Sequence, residues 1–400
     1  GRPTQPVVVG DAVFAAVPDQ HRVLRLDAET GRTEWSFTAG AAIDSSPTVV
    51  HGLAIFGCRD GWAYCLDAAD GALAWRFRAA PEERRIVNDD RIKSPWPVHG
   101  SVLAYDGLIY CAAGISSYLD GGIFVYALDP FTGEVVHHTR VNGPWPDVLE
   151  EEGHCTEIGG TRADLLVAGG GEVHMMRMSW TKELEEIEQP YVHIDDRQML
   201  DRHTTRHLIA SGGLLDGSGF NRTWWAYSDI WQRTDNRRAP KQGALLAFDD
   251  QRTYAAKIFY EEGFTPPYTP GENQVRIVAD ANANDPVFVP TYEHPKGVQH
   301  YRLGRERDPL WDVRAPVRVN SMVAAGGTLF VAGPPDVMPD GDPLASFRGR
   351  AGGRLLAVSP ADGSTLSELK LEAPPVWDGM SAAGGRLFIA CEDGTIIALQ

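Results

Sequence analysis

The chain has 400 residues, 43% hydrophobic and 23% charged, with a formal net charge of -17. That length accommodates two or three ordinary domains or one large repeat array. So acidic a surface repels nucleic acid and anionic membranes, which need a basic face, and no apolar run approaches the ~20 residues that cross a bilayer.

The sequence begins Gly1-Arg2-Pro3, with neither an initiator Met nor a signal peptide. An export signal is therefore expected to have been removed or to lie outside this stretch. The five cysteines, Cys58, Cys65, Cys111, Cys155 and Cys391, form no C-x-x-C and no adjacent pair. They read as small buried strand residues rather than metal, redox or haem-attachment sites.

Self-similarity decides between domains and repeats. Leu26-Asp27-Ala28-Glu29-Thr30-Gly31, followed by Trp35-Ser36-Phe37, recurs without a gap as Leu66-Asp67-Ala68-Ala69-Asp70-Gly71 followed by Trp75-Arg76-Phe77. Looser copies begin at Leu128-Asp129 and Val358-Ser359. Each unit is preceded by β-forming runs such as Gly52-Leu53-Ala54-Ile55-Phe56 and Ala63-Tyr64-Cys65-Leu66, separated by Asp-Gly turns suited to tight hairpins. In the Asp-x-x-x-Gly unit the Asp carboxylate can accept turn N–H groups while Gly supplies the left-handed reversal. The aromatic that follows is expected on an outer strand, buried against the next unit.

These units predict an all-β fold, an eight-bladed β-propeller with seven blades as the alternative. In chain order the blades are placed at 6–38, 45–79, 97–142, 157–190, 207–263, 275–313, 318–371 and 378–400. The fifth and sixth rest on strands such as Thr223-Trp224-Trp225-Ala226-Tyr227 and Asp285-Pro286-Val287-Phe288-Val289, where the repeat chemistry is weak. The last blade stops at Ile396-Ile397-Ala398-Leu399-Gln400, one outer strand short, and that strand is expected upstream of Gly1. The whole of 1–400 reads as a single propeller domain excised from a longer chain.

The units resemble the PQQ-like repeats of bacterial quinoprotein dehydrogenases and of the propeller scaffold of the outer-membrane assembly machinery. Trp96-Pro97-Val98-His99-Gly100-Ser101, Ser117-Tyr118-Leu119-Asp120-Gly121-Gly122 and Pro374-Pro375-Val376-Trp377-Asp378-Gly379-Met380 look more closely like uncharacterised PQQ-binding-like propellers of planctomycete-type bacteria. A quinoprotein dehydrogenase would imply adjacent cysteines over the quinone, a Ca²⁺ site and a catalytic Asp. No matching motif places them here, so PQQ is not expected as a cofactor. The resemblance implies a periplasmic or secreted protein.

A propeller offers one obvious site, the mouth of its central channel, lined by innermost strands and the loops leading into them. Those positions carry Asp44 and Ser45; Trp96 and His99; His203, Arg206 and His207; Arg318 and Asn320; and Trp377 and Asp378. Arg202-His203-Thr204-Thr205-Arg206-His207, followed by Asn221-Arg222-Thr223-Trp224-Trp225, combines guanidinium groups that can clamp a carboxylate with aromatics that can stack on a sugar.

Three readings follow. The first is a binding module that takes a small ligand, a carbohydrate or a protein at the funnel mouth as a monomeric propeller, through Asp44, Trp96, His203, Arg318, Asn320, Trp377 and Asp378. The second is a carbohydrate-active enzyme resembling polysaccharide lyases, with His99 or His207 as base and Arg206 or Arg222 neutralising a uronate. The third and least supported is a quinone-dependent dehydrogenase. A divalent metal is a further option, held by His99, His207, Asp44 and Asp378, although no close-spaced ligand motif supports it.

Overall fold

The computed structural model describes residues 1–88, 91–100, 102–143, 160–188, 191–195, 198–211, 224–231, 239–257, 271, 275–293 and 299–400. Among them the regular structure is β-strand, with one 3₁₀ turn at Pro18–Gln20. The chain forms two compact units. The first comprises Gly1, Val9–Arg222 and Asp229–Trp231, the second Arg2–Val8, Thr223–Ser228 and Gln232–Gln400.

In the first unit, sequence-adjacent strands pair antiparallel into up-and-down sheets. Ala12–Val17, Arg22–Asp27 and Thr33–Thr38 belong to one, and Thr48–Val50, Leu53–Gly57, Trp62–Asp67 and Leu73–Arg78 make the next. Leu103–Tyr105, Leu108–Ala113, Ile123–Leu128 and Val135–Val141 make a third. Val167–Gly169, Glu172–Met175 and Met178–Trp180 make a three-stranded sheet, and Tyr191–Asp195 pairs with Gln198–Ser211. A short hairpin, Ile86–Asn88 with Arg91–Lys93, is inserted in the connection that leads into the third sheet.

The repeat chemistry explains how neighbouring sheets lock. Asp27 Oδ1 accepts from the backbone N–H of Glu29 at 3.2 Å and of Thr30 at 2.6 Å. Gly31 then turns the chain at φ 69°. The tryptophan that follows docks on the equivalent turn of the next sheet. Trp35 Nε1 donates to Ala68 O at 3.1 Å, and its ring lies where a Cβ on Gly71 would approach to 2.7 Å. Trp75 repeats the contact on the third sheet, donating to Pro130 O at 2.8 Å over Gly133. Both indoles are buried. Glycine is thus required at these turns twice over, for its positive φ and for the ring above it.

In the second unit, Leu245–Phe248, Arg252–Lys257, Arg276–Ala281 and Trp311–Arg314 form one sheet, and Ser321–Ala325, Thr328–Gly333, Gly353–Val358 and Thr365–Leu371 another. Pro375–Ala383, Arg386–Cys391 and Ile396–Leu399 form a three-stranded last sheet. Trp311 continues the docking rule, donating to Pro360 O at 2.8 Å above Gly363. The N-terminal segment belongs to this unit: Gln5 Nε2 donates to Met380 O at 3.1 Å, and Arg2 lies 3.9 Å from Glu392. Its apolar core joins Leu245, Tyr254, Ile277 and Trp311 to Val317, Val331 and Leu356.

Two blade placements need correction. The reading of 207–263 as the fifth blade cuts through the Gln198–Ser211 strand, which already pairs with Tyr191–Asp195. The reading of 275–313 as the sixth starts one hairpin late, since its sheet begins at Leu245. The run Asp285 to Val289, taken as a blade strand, lies largely in the Pro286–Glu293 strand of an inserted hairpin with Gln299–Arg305. That insertion separates the third strand of the sheet from the fourth and stretches the repeat beyond recognition in sequence.

Candidate functional site

Asp44, His99 and Trp96 meet other polar groups in the first unit. Asp44 lies in the connection entering the Thr48–Val50 strand and His99 in the one entering Leu103–Tyr105. His99 Nδ1 is 3.1 Å from Asp44 Oδ2, and Arg59 Nε reaches both Asp44 oxygens at 2.8 Å. Desolvation works against ionisation of Asp44, but His99 and Arg59 outweigh it and hold the carboxyl below its ordinary range. Trp96, in the same connection as His99, is buried. Its Nε1 donates to Asp120 O at 2.8 Å, and the Arg84 guanidinium covers its ring at 4.7 Å.

His203 and His207, on the Gln198–Ser211 strand, come together with His174, which lies on the Glu172–Met175 strand. Each offers a potential ligand atom, and these atoms lie within 4.8 Å of one another. All three are buried, at 1%, 3% and 2% exposure for His174, His203 and His207.

The hydrogen bonds favour one tautomer of each ring, with His174 Nε2 lying also 3.3 Å from Thr205 Oγ1. A carbonyl oxygen only accepts, so His174 Nε2 carries the proton it gives to Gly169 O at 3.2 Å, and His207 Nδ1 carries the one it gives to Thr205 O at 3.0 Å. His174 Nδ1 then accepts from Ser179 Oγ at 2.8 Å, and Ser179 Oγ accepts in turn from His203 Nδ1 at 3.1 Å. Burial disfavours the charged form of all three rings. His203 Nε2 and His207 Nε2 are left as buried lone pairs with no hydrogen-bond partner. Desolvation is the main cause in each case of lowered basicity, which places His203 at about 4 and His207 at about 3; His174 is lowered too.

His174 was not selected from sequence because Glu172-Val173-His174-Met175-Met176 reads as an ordinary alternating strand, and no spacing links it to residues some thirty positions on. Arg206 is exposed beside this cluster. Arg222 lies outside the described residues.

In the second unit, Asp378 N donates to Asn320 O at 2.7 Å, and Asn320 Nδ2 donates to Pro375 O at 3.2 Å, so these two selected residues meet. Asp378 takes φ 52°, a conformation Asp tolerates better than most side chains. Desolvation by the surrounding protein pushes its carboxyl up to about 7, although the residue as a whole is exposed. Trp377 packs on the core, and Arg318 stacks over Phe347 at 5.1 Å. Sequence reading missed the unit's buried charges. Lys257 Nζ donates to Ala239 O at 2.8 Å, Lys241 pairs with Asp285, and Arg305 lies 3.1 Å from Asp280.

The fold is all-β, an eight-bladed β-propeller of PQQ-like repeats. A family model described as outer membrane protein assembly factor BamB matches residues 1–144. Among solved structures the chain is similar to BamB from Moraxella catarrhalis, at 13% identity and TM-score 0.54 over 99% of this chain and 96% of that one. It is similar also to the quinohemoprotein alcohol dehydrogenase ADHIIG from Pseudomonas putida HK5, at 12% identity and TM-score 0.52 over 97% and 69%. A third likeness is to a europium-containing methanol dehydrogenase, at 12% identity and TM-score 0.52 over 98% and 82%. No curated protein matches it in sequence. At such identities the likeness establishes the fold, and function must be argued from the sites.

Proposed function

We propose that the chain is a non-catalytic binding propeller that takes a protein partner on the face where connections enter the innermost strands. The observation that carries this reading is the inserted hairpin before the third sheet. Val87 and Ile92 sit directly opposite each other across its two strands and are 76% and 62% exposed. A cross-strand apolar pair presented to water costs solvation free energy that a partner surface would recover. It lies in the same connection as Trp96 and His99, and the BamB-like fold agrees with an interaction module.

The test is the double variant V87E/I92E. It should fold as the parent does, since both positions are exposed, and lose its partner, whereas H99A should keep it. Loss of the partner in H99A alone would contradict the reading.

One observation favours the carbohydrate-enzyme reading: His99 is held by a carboxylate in the manner of an oriented general base. Under it, His99 removes the proton and Arg206 or Arg222 neutralises the uronate, whereas His207, buried and lowered to about 3, is too weak a base for that step. Incubation with uronate polymers and measurement of unsaturated product then separates the two readings. Ligand-binding roles for Asp44, Trp96 and His203 in the first unit and for Arg318, Asn320, Trp377 and Asp378 in the second belong to the same proposal. PQQ is not part of it, because no two cysteines are adjacent in the sequence.

We place the chain as a monomeric propeller that is periplasmic or secreted in a bacterium. The segments around Trp96, Ser117 and Trp377 support a planctomycete-type relationship. Among the described residues no helix is long and apolar enough to cross a membrane.

A further inference from the structure

We propose that His174, His203 and His207 form a binding site for one divalent transition-metal ion of the zinc type. Three neutral imidazoles are a sufficient protein donor set for such an ion, with a fourth position left to water or a ligand. Two of the three donors are already prepared, because His203 Nε2 and His207 Nε2 are buried and without a hydrogen-bond partner. The groups behind them are those that orient metal-bound histidines: Ser179 Oγ holds His203 Nδ1 at 3.1 Å, and Thr205 O holds His207 Nδ1 at 3.0 Å. A purely structural packing of histidines would satisfy these nitrogens, since a buried acceptor left unpaired costs free energy.

The geometry also states what must move. At zinc–nitrogen distances of about 2.0–2.1 Å, tetrahedral donors stand about 3.3 Å apart, closer than the present 4.8 Å limit. His174 and His207 now stack with centroids 3.5 Å apart and planes inclined by 3°. An imidazole lone pair lies in the ring plane, so two parallel rings cannot both aim at one ion, and binding must tilt them apart. His174 joins by releasing Gly169 O and moving its proton from Nε2 to Nδ1; Ser179 Oγ then accepts from both His174 Nδ1 and His203 Nδ1, and its own hydroxyl proton, until then given to His174, turns away from the two rings. No proton leaves the site in that exchange. Hard cations such as Mg²⁺ and Ca²⁺ prefer oxygen donors and are excluded by this donor set.

The test is titration of chelator-treated full chain with Co²⁺ and Zn²⁺, reading stoichiometry by metal analysis and ligand type by the Co²⁺ visible spectrum. One ion per chain with a nitrogen-ligated spectrum is expected. His203→Gln and His207→Gln should each weaken binding by more than the ~10–100-fold that loss of a supporting partner costs. Ser179→Ala should fall within that range, and His138→Ala, on an exposed strand position, should bind as the parent does. Circular dichroism identifies any variant that fails to fold, in which case Ser179→Ala decides. Absence of stoichiometric Co²⁺ or Zn²⁺, or binding that survives His203→Gln and His207→Gln together, overturns the proposal.

Discussion

The imidazoles of His174 and His207, from strands of different hairpins, lie parallel with centroids 3.5 Å apart and planes inclined by only 3°. Such close stacking is compatible with neutral rings and opposed by protonation. With His203 at about 4 and His207 at about 3 in the folded protein, against about 6.5 for an unfolded histidine, the unfolded chain binds more protons between those values. Stability therefore rises with pH through that window and is fully present above it. Urea unfolding of the metal-free protein should show a loss of a few kcal/mol between pH 7 and pH 4.5, and His207→Asn should flatten the slope. An unchanged slope in that variant would assign the acid lability elsewhere.

The docked tryptophans should dominate the stability of the first unit. Trp75→Ala removes a buried indole and its hydrogen bond to Pro130 O, and should cost about 3–5 kcal/mol by denaturant titration. Gly133→Ala should cost more than Gly107→Ala. Both glycines have positive φ, but a Cβ at Gly133 meets the Trp75 ring at 2.7 Å, whereas at Gly107 it meets nothing within 4 Å. Equal costs would show that backbone strain alone makes glycine necessary at these turns.

Asp44 balances two partners, so its loss should be felt more than that of His99. Asp44→Asn leaves the Arg59 charge at a partly buried position and should cost about 1–3 kcal/mol. Because the folded Asp44 carboxyl is lowered, its contribution is present above about pH 4 and fades as pH falls through the folded value. Thermal melts at pH 7 and pH 3 should therefore differ less in Asp44→Asn than in the parent.

Cys65 and Cys111, pushed up to about 12 by desolvation, and Cys391, to about 11, are buried thiols, as is Cys58. Since the thiolate is the reactive form, none of the four should be labelled by a thiol reagent until the protein unfolds. Mass mapping of labelled peptides checks this site by site.

What was legible in the sequence was whatever is encoded locally. Asp27 with Gly31 and Asp67 with Gly71 announce the turn, and Trp35 and Trp75 announce the interface, because each motif needs only neighbours in the chain to be recognised. The sheet starting at Leu245 was not legible, because an inserted hairpin separates Arg276–Ala281 from Trp311–Arg314. Asp44 and His99 were selected by blade position, but their direct pairing, and the Arg59 that shares Asp44, appear only in the folded chain. His174 was invisible for a different reason. Its partners come from another hairpin, and its own strand carries the alternation of a core strand.

The binding claim is tested most directly by placing a photo-crosslinking side chain at position 87, within the source cells, and a second at Val136, which is exposed on the Val135–Val141 strand. Position 87 should yield one discrete protein adduct, absent from position 136. In the Ile92→Glu background its yield should drop at least ~30-fold, as expected for loss of an interface hot spot. Equal adducts from both positions, or none from position 87, would contradict the account.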